Sequence, residues 1–205
     1  MPPVTILGPS QPGGVYVLRV TAAEPLMVRF GRFAGGRAVE LPAGDYLYVG
    51  SARGKRGSAT LARRTLRHAT RSGNKPPHGL RLLLLRALMD VELADSRMAR
   101  PQAKRLRWHI DYLLDEFGVE LCAVLLIGGD AVSEERLAAR LAADPATFVP
   151  APGLGASDHP GATHLFGLAL SPQSERDDWW ARFVEWVEEG RFGFVGRRLR
   201  PDIPA

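Results

Sequence analysis

Two tyrosines, an arginine–histidine pair and a glutamate are the residues whose types and spacing suit chemistry on a phosphate. Gly14-Val15-Tyr16 opens one apolar run and Tyr48-Val49-Gly50 closes another. In LARRTLRH, Arg64 and His68 lie four residues apart, so on a helix they stack one turn apart along the flank of an apolar stripe. That flank borders the sheet, whereas Arg63, Arg67 and Arg71 project to the far side of the stripe. A guanidinium there can hold a phosphate through its planar fork, and an imidazole can polarise a water or orient a tyrosine. A surface arginine and a helix-rim histidine in unspecific contact would have the same spacing. In SEERLAARL, Leu137, Ala138 and Leu141 define a stripe whose centre nearly coincides with Glu134, while Glu135 lies about 100° away. Glu134 therefore faces inward, and a hydrated Mg²⁺ (or Mn²⁺) would compensate its charge while clamping a phosphate. Acid placed at a helix N-terminus is the alternative, and it explains Glu135 better than Glu134.

These side chains need strands and helices to bring them together. GVYVLRV, LMVRFGRF, RAVEL and DYLYVGS, separated by AAEP, AGG and PAG, predict an antiparallel meander over the first 51 residues. Tyr46 and Tyr48 share one face of its last strand. Ser58 is the expected N-cap of a helix running to about Arg71. RLRWHIDYLLDEFG reads as a helix, LCAVLLIG as a buried strand, and SEERLAARLAA as a helix capped by Ser133. GLRLLLLRALMDVELADSRM suits a buried helix or a strand equally and reads as an insertion around residues 79–100. SPQSERDDWWARFVEWVEEGRFG predicts an amphipathic acidic helix with a capping box from Ser174 to Asp177 and Gly190 at its end. Its face of Trp179, Trp180, Phe183, Val184 and Val187 needs a surface, either the main domain or a second subunit. The expected organisation is a domain over 1–170 and a helical extension over 171–205.

Composition narrows the class of partner. The 205 residues are 45% hydrophobic and 24% charged, enough for one sizeable core. The single cysteine, Cys122, can form no intrachain disulfide, and no apolar run approaches the roughly 20 residues that span a bilayer, so a cytoplasmic setting is expected. Net charge is only +5, yet residues 46–89 carry ten Lys or Arg and no Asp or Glu. A localised basic block favours nucleic acid, with Arg53, Lys55, Arg56, Arg63, Arg67 and Arg71 as the contacting cations. A solvated arginine-rich helix is the plainer alternative.

Taken in order, GVYVL, GDYLYVGSARG, the Arg64–His68 helix, WHIDYLL, EERLA and GLGASDHPGATHLF form a set that resembles the GIY-YIG nuclease superfamily. The resemblance is closer to an uncharacterised prokaryotic branch, the domain of unknown function 123, sometimes found fused to DNA glycosylases. It implies an α+β fold, a small antiparallel sheet flanked by helices, in which the strands carrying Tyr16 and Tyr48 are neighbours. It also implies a metal-dependent endonuclease acting on nucleic acid, DNA being the expected form. Glu134 would hold the metal, Arg64 would stabilise the charge at phosphorus, Tyr48 would position, and Tyr16 or His68 would be the general base. A non-cleaving nucleic-acid-binding module of the same fold is the alternative, as is a protein-interaction domain or self-association through the tryptophan-rich helix. The run between His68 and Trp108 is longer than the family pattern. Where related sequences carry two closely spaced cysteines near the end, His159 and Gly161 stand here. Asp158, His159, His164, His109 and Asp111 could assemble metal ligands there or satisfy backbone groups.

Overall fold

The computed structural model describes residues 1–155 and 162–190. Its frame is a six-stranded sheet built from β1 (Val4–Leu7), β2 (Gly14–Ala22), β5 (Gly44–Ala52), β6 (Val119–Gly128), β7 (Thr147–Phe148) and β8 (Leu165–Leu168), in the order β1-β6-β2-β5-β8-β7. Every pairing is antiparallel except β1 with β6, so the sheet is mixed and wider than the small antiparallel one expected. The extra width comes from VTIL at one edge and two short strands at the other. The fold is α+β, as expected.

The meander requires correction. Only its first and last strands, β2 and β5, join the sheet, and they pair directly with Tyr16 opposite Gly50 and Leu18 opposite Tyr48. The two middle segments leave it as a separate hairpin, β3 (Leu26–Val28) with β4 (Val39–Leu41). The cause is burial: Val28, Phe30 and Leu41 are fully buried in the core that covers one face of the sheet, which they reach only by folding off the plane.

Both faces of the sheet are covered, which is why β2 and β5 read as almost continuous apolar runs. The first face packs Tyr16, Leu18, Tyr46 and Tyr48 against α1 (Leu61–His68), α2 (Arg81–Asp90) and α3 (His109–Leu114). The second packs Val15, Val17, Leu47 and Val49 against α4 (Glu134–Ala142) and α5 (Gln173–Glu188). The leucine-rich segment that suited helix or strand is thus α2, and its Leu84, Leu85 and Leu88 belong to the first core. On the other side Trp179, Trp180, Phe183, Val184 and Val187 of α5 are buried against the chain's own sheet. At roughly 1.5–3 kcal/mol per fully buried large apolar side chain, that docking outweighs the helix's weak local signals.

Two caps differ from expectation. Residues 57–59 form a 3₁₀ turn, and α1 starts after it, with the Thr60 hydroxyl, not Ser58, accepting from Arg63 N. Leu61 N donates to Pro12 O at 2.7 Å, which ties the helix start to the approach of β2. The Ser174–Asp177 capping box does not form, because Asp177 accepts instead from Arg19 and Gln173 and the helix begins after Pro172. Ser133 caps α4 as expected. Among the described residues no helix is long and apolar enough to cross a membrane.

Candidate active site

Tyr16 and Tyr48 point from adjacent strands into the first core, with ring centroids 6.3 Å apart. Gly50 is the reason the Tyr16 ring lies flat across β5: a Cβ there would come within 2.4 Å of the phenol. Glycine thus does steric work in this tripeptide rather than turn chemistry. Tyr46, on the same face, is not part of this cluster; its hydroxyl donates to Pro42 O at 2.6 Å.

His68, near the end of α1, is fully buried and meets the Tyr16 hydroxyl through Nε2 at 3.0 Å. Its other nitrogen, Nδ1, lies 3.3 Å from Asp111 Oδ1, in ion-pair range but off the line of a hydrogen bond. Asp111 is the hub of this face. Its carboxylate accepts two hydrogen bonds from the Arg67 guanidinium at 3.0 Å each, and one each from the backbone N–H groups of Arg107 and Trp108. Lys104 Nζ stands 3.5 Å away. Burial alone would raise the Asp111 pKa, but His68, Lys104 and Arg67 hold it well below the ordinary carboxylate range. Burial lowers His68 to about 4 despite the carboxylate beside it, so the imidazole is neutral near pH 7. Burial likewise raises the Tyr16 and Tyr48 phenols; the Arg64 guanidinium opposes that rise at both, while Glu134 and Asp111 add to it.

Arg64 stacks over Trp108, its guanidinium carbon 4.8 Å from the ring centroid, and Nη1 donates to the Ser51 carbonyl. Ser51 is also where the glutamate arrives. Its hydroxyl donates to Glu134 Oε2, while His164 Nδ1 lies 2.9 Å from Oε1. The inward orientation of Glu134 at the start of α4 is therefore real, with its side chain 17% exposed against 54% for Glu135. Burial would raise its pKa, but hydrogen bonds from His164 and Ser51 lower it. Glu134 lines a groove of about 660 Å³ together with Gly14, Ser51, Arg53, Lys55 and Asp130. All five candidate catalytic residues thus lie around the Tyr16–Ser51 end of β2 and β5, but only Glu134 lines the groove; Tyr16 is 1% and His68 0% exposed.

The donor set at Glu134 suits a hydrated divalent cation but not a dehydrated one. One carboxylate, one hydroxyl and one imidazole make no all-protein cage, and no cluster of three or more His, Cys, Asp or Glu occurs among the described residues. A hydrated Mg²⁺ needs no cage: it keeps several waters and uses one or two carboxylates with substrate phosphates, which a half-buried glutamate on an open groove suits. Among the described residues the alternative ligand group does not assemble. His109 Nδ1 accepts from Gly155 N, Asp111 is engaged as above, and His164 belongs to Glu134. Asp158 and His159 lie outside the described residues.

Among the six cations expected to meet nucleic acid, Arg53, Lys55 and Arg56 are exposed and Arg63 is half-buried. The expectation that Arg67 and Arg71 project away from the fold needs correction. Arg67 clamps Asp111, and Arg71 bonds Glu120 at 2.6 Å and the backbone carbonyl of Val119. The helix face was legible from spacing, but the covering of that face by α3 and the start of β6 was not. Sequence reasoning also missed Asp111 as the partner of His68, and Ser51 as the joint between Arg64 and Glu134. The signal for the first lay in WHIDYLL, an aspartate 43 positions along the chain from His68.

A family model described as a domain of unknown function, DUF123, matches residues 15–182. No curated protein and no solved structure matches the chain.

Proposed function

The chain belongs to the DUF123 family, and from the cleft it builds we propose that it is a metal-dependent endonuclease of GIY-YIG type that hydrolyses phosphodiester bonds of nucleic acid, DNA being the expected substrate. One observation carries this reading: Arg64 and Glu134, from helices on opposite faces of the sheet, meet on the carbonyl and hydroxyl of the same residue, Ser51. The resemblance of GVY, YVG, Arg64–His68 and Glu134 to that superfamily supports it.

The roles follow from the contacts. Arg53 and Lys55 on the groove wall would draw the phosphate backbone in, and Arg64 would take up charge developing at phosphorus. A divalent cation at Glu134, when bound, would supply further positive charge at that phosphate. Asp111 beside Nδ1 of His68 favours the tautomer that carries its proton there, which leaves Nε2 to accept from the Tyr16 hydroxyl. In the reaction the water oxygen bonds to phosphorus, its proton passes to Tyr16, and the Tyr16 proton passes to His68. The ester oxygen leaves with the electron pair of the broken P–O bond, and Asp111 offsets the imidazolium.

The near-complete burial of Tyr16 and His68 favours a second reading, a nucleic-acid-binding module of the same fold that cleaves nothing. One experiment separates them: linear, nicked, branched and single-stranded nucleic acids incubated with Mg²⁺ or Mn²⁺ and with wild-type or Glu134→Ala protein. Cleavage by the wild type alone is the expected result. Equal cleavage by the variant overturns the site, and tight binding with no cleavage by either protein establishes the binding module.

A further inference from the structure

A second cavity, sharing no residue with the groove at Glu134, opens between α1, α2 and the segment 97–103. It encloses about 240 Å³, and five arginines line it: Arg63, Arg67, Arg81, Arg97 and Arg100. No carboxylate lines it. Two of the five are neutralised from outside, Arg67 by Asp111 and Arg97 by Asp95. Among the described residues none of Arg63, Arg81 and Arg100 has a carboxylate within ion-pair distance; Asp95, already paired, is the acid that senses Arg63.

Arg81 is the decisive member. It is 8% exposed, and its hydrogen bonds go to neutral acceptors: Nε to the Thr70 hydroxyl at 3.2 Å, and Nη1 and Nη2 to the Ala99 and Met98 carbonyls at 2.9 Å. Those carbonyls fix the guanidinium in place without cancelling its charge. Burial lowers its pKa, and no neighbouring acid opposes that. Buried charges in folded proteins are paired or they bind something. Among the described residues no carboxylate pairs with any of these three guanidinium groups, and Arg81 is also shielded from water, so the cavity favours an anion from outside that carries more than one negative charge.

We propose that this cavity is a phosphate-binding site, in which Arg81 forms the floor and Arg63 and Arg100 close on the anion from the rim. Guanidinium forks match the oxygens of a phosphate from several directions at once. The volume falls below the about 300 Å³ at which pockets for drug-sized ligands begin, so it suits a phosphate group and not a whole nucleotide. The phosphate belongs either to a small free phosphate compound or to a nucleic-acid strand.

The test is calorimetric titration of the full chain, without divalent metal, at ionic strength held constant with sodium chloride. The three probes are inorganic phosphate, a short single-stranded oligonucleotide bearing a 5′-phosphate, and the same oligonucleotide with a 5′-hydroxyl. Arg63→Ala/Arg100→Ala, two rim positions whose loss leaves the core intact, should weaken the bound probe about tenfold or more. If inorganic phosphate binds as tightly as the phosphorylated oligonucleotide, the source is a free phosphate; if the phosphorylated strand binds more tightly, it is a strand terminus. If both oligonucleotides bind alike and both lose affinity in the variant, it is an internal phosphodiester. Affinity for all three probes unchanged by the double substitution, or no binding beyond chloride, overturns the proposal. Because the readout is binding without metal, it stands or falls separately from hydrolysis.

Discussion

Each face of the sheet buries one aspartate in an arginine network, and the two networks end differently. On the second face Asp45, 1% exposed, accepts from Arg19 Nε at 2.7 Å and from the Thr21 hydroxyl at 2.7 Å, and Arg19 runs on to Asp177 at 2.6 Å. That network joins guanidinium, carboxylate, amide and hydroxyl groups, with the Cys122 thiol donating to the Thr21 hydroxyl, and it holds neither an imidazole nor a phenol. On the first face Asp111 is held as firmly by Arg67 and two backbone N–H groups, but it also borders an imidazole, and that imidazole touches a phenol. The same anchoring chemistry therefore makes a brace on one side and a path for a proton on the other. What separates them is the imidazole–phenol pair at the end of the first network, not burial or charge.

The largest expected effect is on cleavage, and it should fall on Glu134 and on the Tyr16–His68 network but not on the Arg19–Asp45 network. Glu134→Ala should remove metal-dependent hydrolysis while leaving nucleic-acid binding close to wild type, since it deletes no phosphate contact. Tyr16→Phe and His68→Ala should each cost roughly 10²- to 10⁴-fold in single-turnover rate if they move the proton. Arg19→Ala should leave the rate per folded molecule unchanged, and a comparable fall in that variant would erase the distinction between the networks.

Stability should treat the two alike. Asp111→Ala strands Arg67 and Lys104, and Arg19→Ala leaves Asp45 only the Thr21 hydroxyl and Arg176 at 3.7 Å; each removes the main partner of a buried charge and should cost about 3–5 kcal/mol in chemical denaturation. A loss below about 1 kcal/mol in either would show that its network is solvated.

Acid should then separate them again. His68 and His78 both have folded pKa values lowered by burial from 6.5 to about 4. Between those values the unfolded chain binds more protons, so the stability they contribute is present above about pH 6.5 and falls as pH drops toward 4. Each contributes a slope approaching about 1.4 kcal/mol per pH unit. Thermal unfolding followed from pH 7 to 4 should show this fall, and His78→Gln should make it shallower in its upper part, before the lowered carboxylates of Glu120 and Glu134 add their own loss toward pH 4. The second-face network contains no histidine: burial would raise the Asp177 pKa but hydrogen bonds from Gln173 and Arg19 lower it, so this network adds to the fall only at the acid end of that window.

How far these features were legible in the chain depends on the range of the interaction behind them. The turn chemistry and apolar runs around GVYVL and DYLYVGS, the Ser133 cap and the inward side of α4 are local, and they stand in the structure as the periodicity implied. The partners of long polar side chains are not local. Arg67 and Arg71 reach residues 38 to 49 positions away, and a helical wheel gives the direction in which a side chain leaves its helix but not what has folded over it. The parallel pairing of VTIL with β6 has the same origin, since residues 4–7 meet residues 124–127 and nothing in four apolar residues announces that partner. Asp111 was hidden for a related reason: an aspartate in the first turn of a helix is ordinary N-terminal chemistry until its depth is known.

The smallest expected effect compares two hydroxyls. Thr21 donates to Asp45 at 2.7 Å on the second face, and Tyr16 meets His68 at 3.0 Å on the first. Thr21→Val keeps the shape and removes one donor from a carboxylate that retains the Arg19 fork, so it should cost about 1 kcal/mol. Tyr16→Phe removes a hydroxyl from a neutral imidazole and should cost about as much in unfolding experiments. With stability matched, the cleavage rates can be compared directly at a temperature where both variants are folded. Thr21→Val should cleave as the wild type does, because its hydroxyl ends on a carboxylate that touches neither the imidazole nor the phenol. A drop in rate for Thr21→Val equal to that for Tyr16→Phe would mean that both networks act only by holding the sheet in shape.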